Sequence, residues 1–287
     1  MKQAVLLLAH GAPERLEDIE EYLTNVRGGK PTAPRIVEEV RHRYALIGGS
    51  SPLTYWTRRQ AEALQAKLGI PVYFGMRNWR PFIRETIGQI QADGIERLVA
   101  MCLAPQYSKL SVGFYFRRTQ EAKQAMGAQV EIVWTKTFHN HPLLIEAFAE
   151  RLAPLSGLGK VLFTAHSLPE RILENADPYD TEARATARLV AERLSLRDWE
   201  FAYQSQGMTE EKWLGPTVES VLDGCSGPVV LAPVGFVSDH VEILYDVDIL
   251  FHEYAAQKGI DLRRPESLND SPKFIDTLAT VARGKLL

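Results

Sequence analysis

One ten-residue phrase occurs twice in this chain, as Val-Leu-Leu-Leu-Ala-His-Gly-Ala-Pro-Glu at residues 5–14 and as Val-Leu-Phe-Thr-Ala-His-Ser-Leu-Pro-Glu at residues 161–170. Each copy is an apolar run that stops at a histidine and gives way to small residues, Pro and Glu. Such a run reads as a buried parallel strand followed by a loop. The histidine then falls at the strand's carboxyl end, where open α/β sheets bind their ligands. Two such halves facing each other make a cleft with His10 on one wall and His166 on the other.

Strand-like runs alternate with amphipathic ones along the rest of the chain, the pattern of parallel sheets covered on both faces. Strands are predicted over residues 4–8, 72–75, 98–103 and 130–134 in the first half, and 161–164, 201–204, 229–232 and 260–263 in the second. Helices are predicted over residues 34–46, closed by Gly48-Gly49, and 52–68, opened by Ser51 with Pro52 at the first helical position. Two more span 181–194 and 272–285. Leu-Ala-Pro recurs at 103–105 and 231–233, and Trp79-Arg80-Pro81 has a looser echo in Trp213-Leu214-Gly215-Pro216. Three echoes in one order point to duplication of an α/β unit. The expected architecture is α/β, with two similar Rossmann-like domains at 1–137 and 138–287. Each is a parallel sheet flanked by helices, the site lies in the cleft between them, and the last helix can pack on either.

Composition narrows the function classes. At 287 residues, with 45% hydrophobic and 24% charged residues, the chain has material for two modest domains. A net charge of −3, with Lys and Arg interspersed among acids, leaves no basic footprint for nucleic acid. The apolar run at 4–9 is too short for a signal-peptide core and no run reaches membrane-spanning length, so the expectation is a cytoplasmic protein. Cys102 and Cys225 are far apart and lack a CxxC partner, which predicts buried thiols and neither a zinc ribbon nor an iron–sulfur cluster.

The densest chemistry lies at residues 233–248, Pro-Val-Gly-Phe-Val-Ser-Asp-His-Val-Glu-Ile-Leu-Tyr-Asp-Val-Asp. Ser238 or Asp239 can cap a helix after a turn at Gly235, and that helix carries His240, Glu242, Asp246 and Asp248. A spacing of four sets Glu242 and Asp246 on one face, an acidic ladder for a divalent cation or for protons. A solvated helix start stabilised by the macrodipole accounts for Asp239 and can account for Glu242. It does not account for carboxylates beyond the first turn beside Ile243, Leu244 and Ile249.

These segments carry a family resemblance. Ala-His-Ser-Leu-Pro-Glu at 165–170, Trp-Leu-Gly-Pro at 213–216, Pro-Val-Gly-Phe-Val-Ser-Asp-His-Val-Glu at 233–242 and Ile-Gly-Gly-Ser-Ser-Pro-Leu at 47–53 resemble the signature segments of ferrochelatases, in order along nearly the whole chain. The resemblance implies chelatase-like domains and insertion of Fe(II) into a porphyrin held between them, as a step of haem biosynthesis. It assigns His166 and Glu242 to the catalytic, metal-handling pair. It sets His10, Arg27, Arg43, Ser51 and Tyr115 at substrate-binding positions, with Trp79 or Tyr107 as pocket walls.

The reaction itself asks for the same residues. Metallation exchanges two pyrrole N–H protons for one divalent ion, so it needs a proton acceptor, a route for the ion and a pocket that distorts the ring. Neutral imidazole titrates near physiological pH, which makes His166 the best acceptor, with Glu242 its anionic partner. Asp239 and His240 are expected to orient that pair, and Asp246 to continue the acidic path. No cofactor beyond substrate Fe(II) is required. Expected partners are the two substrates and, transiently, neighbouring haem-pathway enzymes.

Three features depart from the family pattern. His10 stands where many relatives carry Tyr or Met, and an imidazole there can ligate iron in the product. Leu250 replaces an acid eight residues beyond Glu242, so the acidic route is shorter or bends toward Asp248 or His252. The cysteine-bearing extension of cluster-containing relatives does not follow the last helix. The segment 107–118 resembles the short polar lid of the Gram-positive type, which favours coproporphyrin III over protoporphyrin IX. Two other classes compete: a haem or porphyrin carrier without metallation, and a chelatase for another metal or tetrapyrrole.

Overall fold

The structure, a computed structural model, describes residues 1–207 and 211–287. The first half runs β1 (Gln3–Ala9), α1 (Ile19–Val26), α2 (Pro34–Leu46), α3 (Leu53–Leu68), β2 (Val72–Met76), α4 (Ile83–Ala92), β3 (Arg97–Cys102), α5 (Val112–Ala125) and β4 (Glu131–Thr135). The second half runs α6 (Pro142–Leu152), β5 (Lys160–His166), α7 (Tyr179–Arg193), β6 (Trp199–Gln204), α8 (Val218–Leu222) and β7 (Val229–Pro233). A π-helix (Glu242–Phe251), α9 (His252–Gln257), β8 (Leu262–Arg263) and α10 (Pro272–Arg283) complete the chain.

The strands form two parallel sheets with orders β2-β1-β3-β4 and β6-β5-β7-β8, the same topology twice. Ala4 through Leu8 are fully buried, which explains why β1 reads as a continuous apolar run: helices cover both faces of its sheet. The predicted duplication is therefore structural. The aromatic-Pro echo is part of it, since Met76 N–H donates to the Pro81 carbonyl at 2.7 Å and Tyr203 N–H donates to the Pro216 carbonyl at 2.8 Å. The Leu-Ala-Pro echo is not. Leu103 N–H bonds to Leu8 and Val234 N–H bonds to Thr164, so Leu103 and Val234 are the equivalent residues, three places beyond the sequence match at Leu231.

Helix ends follow the local chemistry. Pro34 opens α2 without losing a needed donor, and Gly48 and Gly49, at φ +96° and +88°, close it in conformations that L side chains disfavour. Pro52 sits one place before α3 as its N-cap, not at the first helical position. The strand expected over 260–263 shrinks to two residues, because Ile260 N–H closes the preceding helix on Ala255 at 2.9 Å.

A single apolar core joins the halves. Val5, Leu7 and Val99 of the first sheet share one buried cluster with Val161, Phe163 and Val230 of the second. Phe274, Ile275 and Leu278 of α10 belong to the same cluster, and α10 packs on α3 and α6, so the last helix bridges both halves. Polar contacts add register: Gln60 donates to Ser238 Oγ and Asn269 O, both at 2.8 Å, and Gln106 donates to Val234 O at 3.0 Å. The cleft is thus framed by one continuous core. Among the described residues no helix is long and apolar enough to cross a membrane.

Candidate active site

Each sheet has its topological switch point where the chain leaves its first strand one way and its third strand the other, and both switch points open on one cleft. His10 and Gly11 follow β1, Leu103 and Ala104 follow β3, His166 ends β5, and the loop from Gly235 to Val241 follows β7; all but Asp239 of that loop line it. The empty space, counted out to its mouth, is about 1260 Å³.

His166 Nδ1–H donates to the carbonyl of its neighbour Ser167, which leaves Nε2 with a free lone pair directed away from the backbone. Tyr179 Oη donates to the His166 carbonyl at 2.8 Å and fixes that strand end. Across a gap of 3.6 Å from Nε2 lies Glu242 Oε2, and the two side chains, 31% and 32% exposed, both line the cleft. His240 Nε2 approaches the same oxygen at 3.9 Å. Glu242 Oε2 is itself buried and has no hydrogen-bond partner among the described residues, an acceptor flanked by imidazoles.

The segment carrying Glu242 is not the regular capped helix that the spacing predicts. It is a π-helix beginning at Glu242, and the proposed caps are engaged elsewhere: Ser238 Oγ accepts from Gln60, while Asp239 accepts from Ser267 at 2.7 Å and Asn269 at 2.9 Å. The wider i→i+5 turn still keeps residues four apart near one face. Gln204 supports its first turn by donating to the Glu242 carbonyl at 3.2 Å. Asp246, one turn on, accepts from Ser205 Oγ.

Burial tends to raise the Glu242 pKa, but the His166, His240 and His10 imidazoles outweigh it and hold the carboxyl down at about 2. Burial likewise disfavours a charged His240, yet Glu242 prevails and raises that imidazole. Asp246 behaves oppositely: burial, then the Glu242 charge, push it up to about 6, against the Ser205 hydrogen bond and the Arg43 charge. Asp246 is therefore neutral below about pH 6 and anionic above, and an acidic limb in the kcat/KM profile centred there is expected. Profiles of Asp246→Asn should lack that limb; an unchanged profile would show that the Asp246 carboxyl has no part in the rate.

The other predicted residues lie in different places. His10 and Tyr115 line the cleft. Ser51 is buried behind it and accepts from Leu53 N–H at 3.3 Å, while Leu53 supplies the wall. Arg43 stacks over Tyr245 at 5.3 Å, bonded to Glu39, so it faces the π-helix beside Asp246. Arg27 is exposed at the carboxyl end of α1. Asp239 lies outside the lining and, besides its bonds to Ser267 and Asn269, sits 3.4 Å from Arg264. Trp79 is packing, edge-on to Tyr22. Tyr107 lies outside the lining; Leu110, Ser111 and Tyr115 of the predicted lid form its wall, and the lid's second half is the start of α5. Both oxygens of Asp248 are held by Arg264, at 2.5 and 2.7 Å, so the free carboxylates stop at Asp246.

Sequence reasoning missed Tyr22, Tyr44, Arg77, Tyr179 and Phe236, all of which line the cleft. Tyr22, Tyr44 and Tyr179 sit at apolar positions of helices and read as core. Arg77 follows β2 as His10 follows β1, a positional signal that two-fold repetition makes readable. Phe236, in the loop after β7, packs edge-on to His166 and tilted against His240.

Two parallel α/β lobes with histidines at paired switch points define a two-lobed chelatase. The solved sirohydrochlorin chelatase SirB from Bacillus subtilis, in complex with cobalt, superposes with a TM-score of 0.63 at 12% identity, covering 99% of this chain and 94% of that one. CbiX, the terminal enzyme of siroheme biosynthesis in denitrifying bacteria, gives 0.57 at 14% identity and 99% and 100% coverage. At such identities the likeness is one of fold. A sequence model described as Ferrochelatase matches residues 2–286. The ferrochelatase of Acidobacterium capsulatum is 46% identical, over 99% of this chain and 95% of its own length. The coproporphyrin III ferrochelatase of Halalkalibacterium halodurans is 36% identical, over 99% and 97%. This chain belongs to the ferrochelatase family, metal chelatases that insert iron into a porphyrin.

Proposed function

We propose that this enzyme inserts Fe(II) into coproporphyrin III, with His166 as the proton acceptor and Glu242 as the anionic partner that meets the ion. The observation that carries the catalytic assignment is the pairing of a bare imidazole nitrogen with an unpartnered carboxylate oxygen 3.6 Å away on one cleft. As the pyrrole protons leave, Nε2 takes the first, gives it up to solvent at the cleft mouth, and then takes the second; Glu242, held anionic near neutral pH, stabilises each transient imidazolium. His240 supports Glu242 in that state, and Asp246 extends the negative charge one turn outward.

The choice of coproporphyrin rests on the short lid and on relatives of that name matching along the full length. Ser111, Tyr115 and Arg77 give the wall hydrogen-bond donors suited to a substrate with four carboxylate arms. Arg27, exposed beyond α1, extends this set at the surface. The proposal places the reaction in the cytoplasm, without a resident cofactor, and with transient hand-over between neighbouring haem-pathway enzymes. Anaerobic Fe(II) supplied with coproporphyrin III and, in parallel, protoporphyrin IX tests the substrate. A higher kcat/KM for coproporphyrin is expected, and equal values or the reverse order sink that part of the proposal. Formation of no iron porphyrin from either would count against the catalytic reading as a whole.

A further inference from the structure

Each lobe holds a loop of the other. Leu103 and Val234 are equivalent, so Tyr107 of the predicted lid and Ser238 of the loop leading to Glu242 stand at equivalent places past their third strands. Ser238 Oγ accepts at 2.8 Å from Gln60 of α3, a helix of the first lobe. Tyr107 N–H donates at 2.7 Å to Glu182 Oε2 of α7, a helix of the second. In both cases the helix that precedes its own lobe's second strand reaches the loop after the other lobe's third strand.

The lid receives more than this one bond, and from charged groups. Asp177, just before α7, accepts Lys109 N–H at 2.7 Å and the Ser108 hydroxyl at 3.1 Å on Oδ2, and Tyr179 N–H at 3.1 Å on Oδ1. Ser108 Oγ in turn accepts from Leu110 N–H at 3.0 Å. Glu182 Oε2 also has the Thr137 hydroxyl at 2.7 Å and His139 Nδ1 at 3.4 Å. Burial works against the charge on Glu182, but the bonds from His139, Tyr107 and Thr137 outweigh it and hold the carboxyl below its usual range. Asp177 and Glu182 are 7% and 8% exposed, and among the described residues no Lys or Arg side chain pairs with either. Burying two carboxylates is costly. These two spend their acceptors largely on main-chain donors at the root of the lid, a contact that does not depend on which side chains the lid carries.

We propose that Asp177 and Glu182 are positioning residues for the porphyrin: by tying the root of the lid to the second lobe, they set the wall formed by Leu110, Ser111 and Tyr115 before substrate arrives. A wall already ordered loses little freedom when the macrocycle binds, so the clamp acts on porphyrin affinity and not on proton transfer. Tyr179, between the two carboxylates in sequence, lines the cleft and bonds the His166 carbonyl, so the lid root and the His166 strand end share one helix start. The inference rests on the porphyrin occupying the cleft.

Metal-free coproporphyrin III and protoporphyrin IX are the probes, with binding read by fluorescence quenching and insertion by anaerobic single turnover at saturating porphyrin. An amide has one acceptor oxygen where a carboxylate has two, so Asp177→Asn leaves either the lid donors or Tyr179 N–H unmet. This variant is expected to bind both porphyrins about ten-fold more weakly, the worth of one hydrogen bond to a charged group. Hydrogen exchange at Tyr107 and Lys109 N–H should quicken, while the saturated insertion rate stays within about two-fold of the parent's, as loss of uniform binding requires. Ser108→Ala removes a donor from the lid side alone. It should move affinity the same way by less, and it carries the test if Asp177→Asn does not fold. The two together should cost little more than Asp177→Asn, because they break one contact. Parental affinities in both variants overturn the proposal, as does a lowered saturated rate with unchanged affinity. A parent that binds both porphyrins but inserts no iron speaks against the catalytic reading and still permits the affinity comparison; a parent that binds neither refutes the occupied cleft and the clamp with it.

Discussion

His166→Ala is expected to lower the rate of Fe(II) insertion by about 10²–10⁴-fold, the usual worth of a positioned acid–base group, while porphyrin binding persists. The persistence follows from geometry: His166 contributes one edge of a wall otherwise built from Tyr22, Leu103, Tyr115, Phe236 and their neighbours, and of these four only Phe236 packs against its ring. The bond from Tyr179 reaches the His166 carbonyl and not its ring, so the strand end survives the truncation. Glu242→Gln should approach the same loss. Its amide keeps the shape but cannot supply the charge that sits 3.6 Å from the imidazole. Single-turnover insertion under anaerobic conditions gives the rate, and quenching of porphyrin fluorescence gives the binding. An alanine variant that metallates at the parental rate would falsify the assignment of the base.

Gly235→Ala is expected to reduce stability by about 1–3 kcal/mol, as overpacking of a close-packed interior does, and to slow insertion disproportionately. The reason differs from the one the turn suggests. Gly235 does not occupy the left-handed region; a Cβ there would stand 2.6 Å from Ala165 Cβ and 2.7 Å from Ala165 Cα. Ala165 precedes His166 on β5, and Gly235 N–H and Val234 N–H both bond the Thr164 carbonyl, at 3.1 and 2.9 Å. Relief of the clash must therefore separate the strand carrying His166 from the loop leading to Glu242. Urea midpoints read the first effect. Insertion rates measured where the variant is fully folded read the second, and parental values in both would refute the close approach.

Much of this site was legible in the sequence because its carriers sit on strands and at strand ends. Parallel strands buried on both faces write continuous apolar runs, and a run that breaks at His10 or His166 marks a carboxyl end without any knowledge of packing. The loop at 233–242 was legible for a similar reason, since polar groups among apolar residues call for a use. Helical positions hid the rest. Tyr22 and Tyr44 look like core in an amphipathic pattern, and only the facing lobe reveals that they border empty space. Arg43 is a matching position in sequence, yet its guanidinium is drawn by the Tyr245 face and Glu39 to the π-helix.

The sequence alone determined the duplication, the two strand-end histidines and the acid that follows the second, because those depend on period and order along the chain. Tertiary structure decided which carboxylates are spent on Arg264 and where the free ones stop, and that the last helix ties both lobes into one core. A lone pair or a charge is available only when no neighbour in space claims it. The neighbour that claims Asp248, Arg264, lies 16 residues away along the chain, and Gln204, which holds the Glu242 carbonyl, lies 38 away. No local pattern records contacts over such separations.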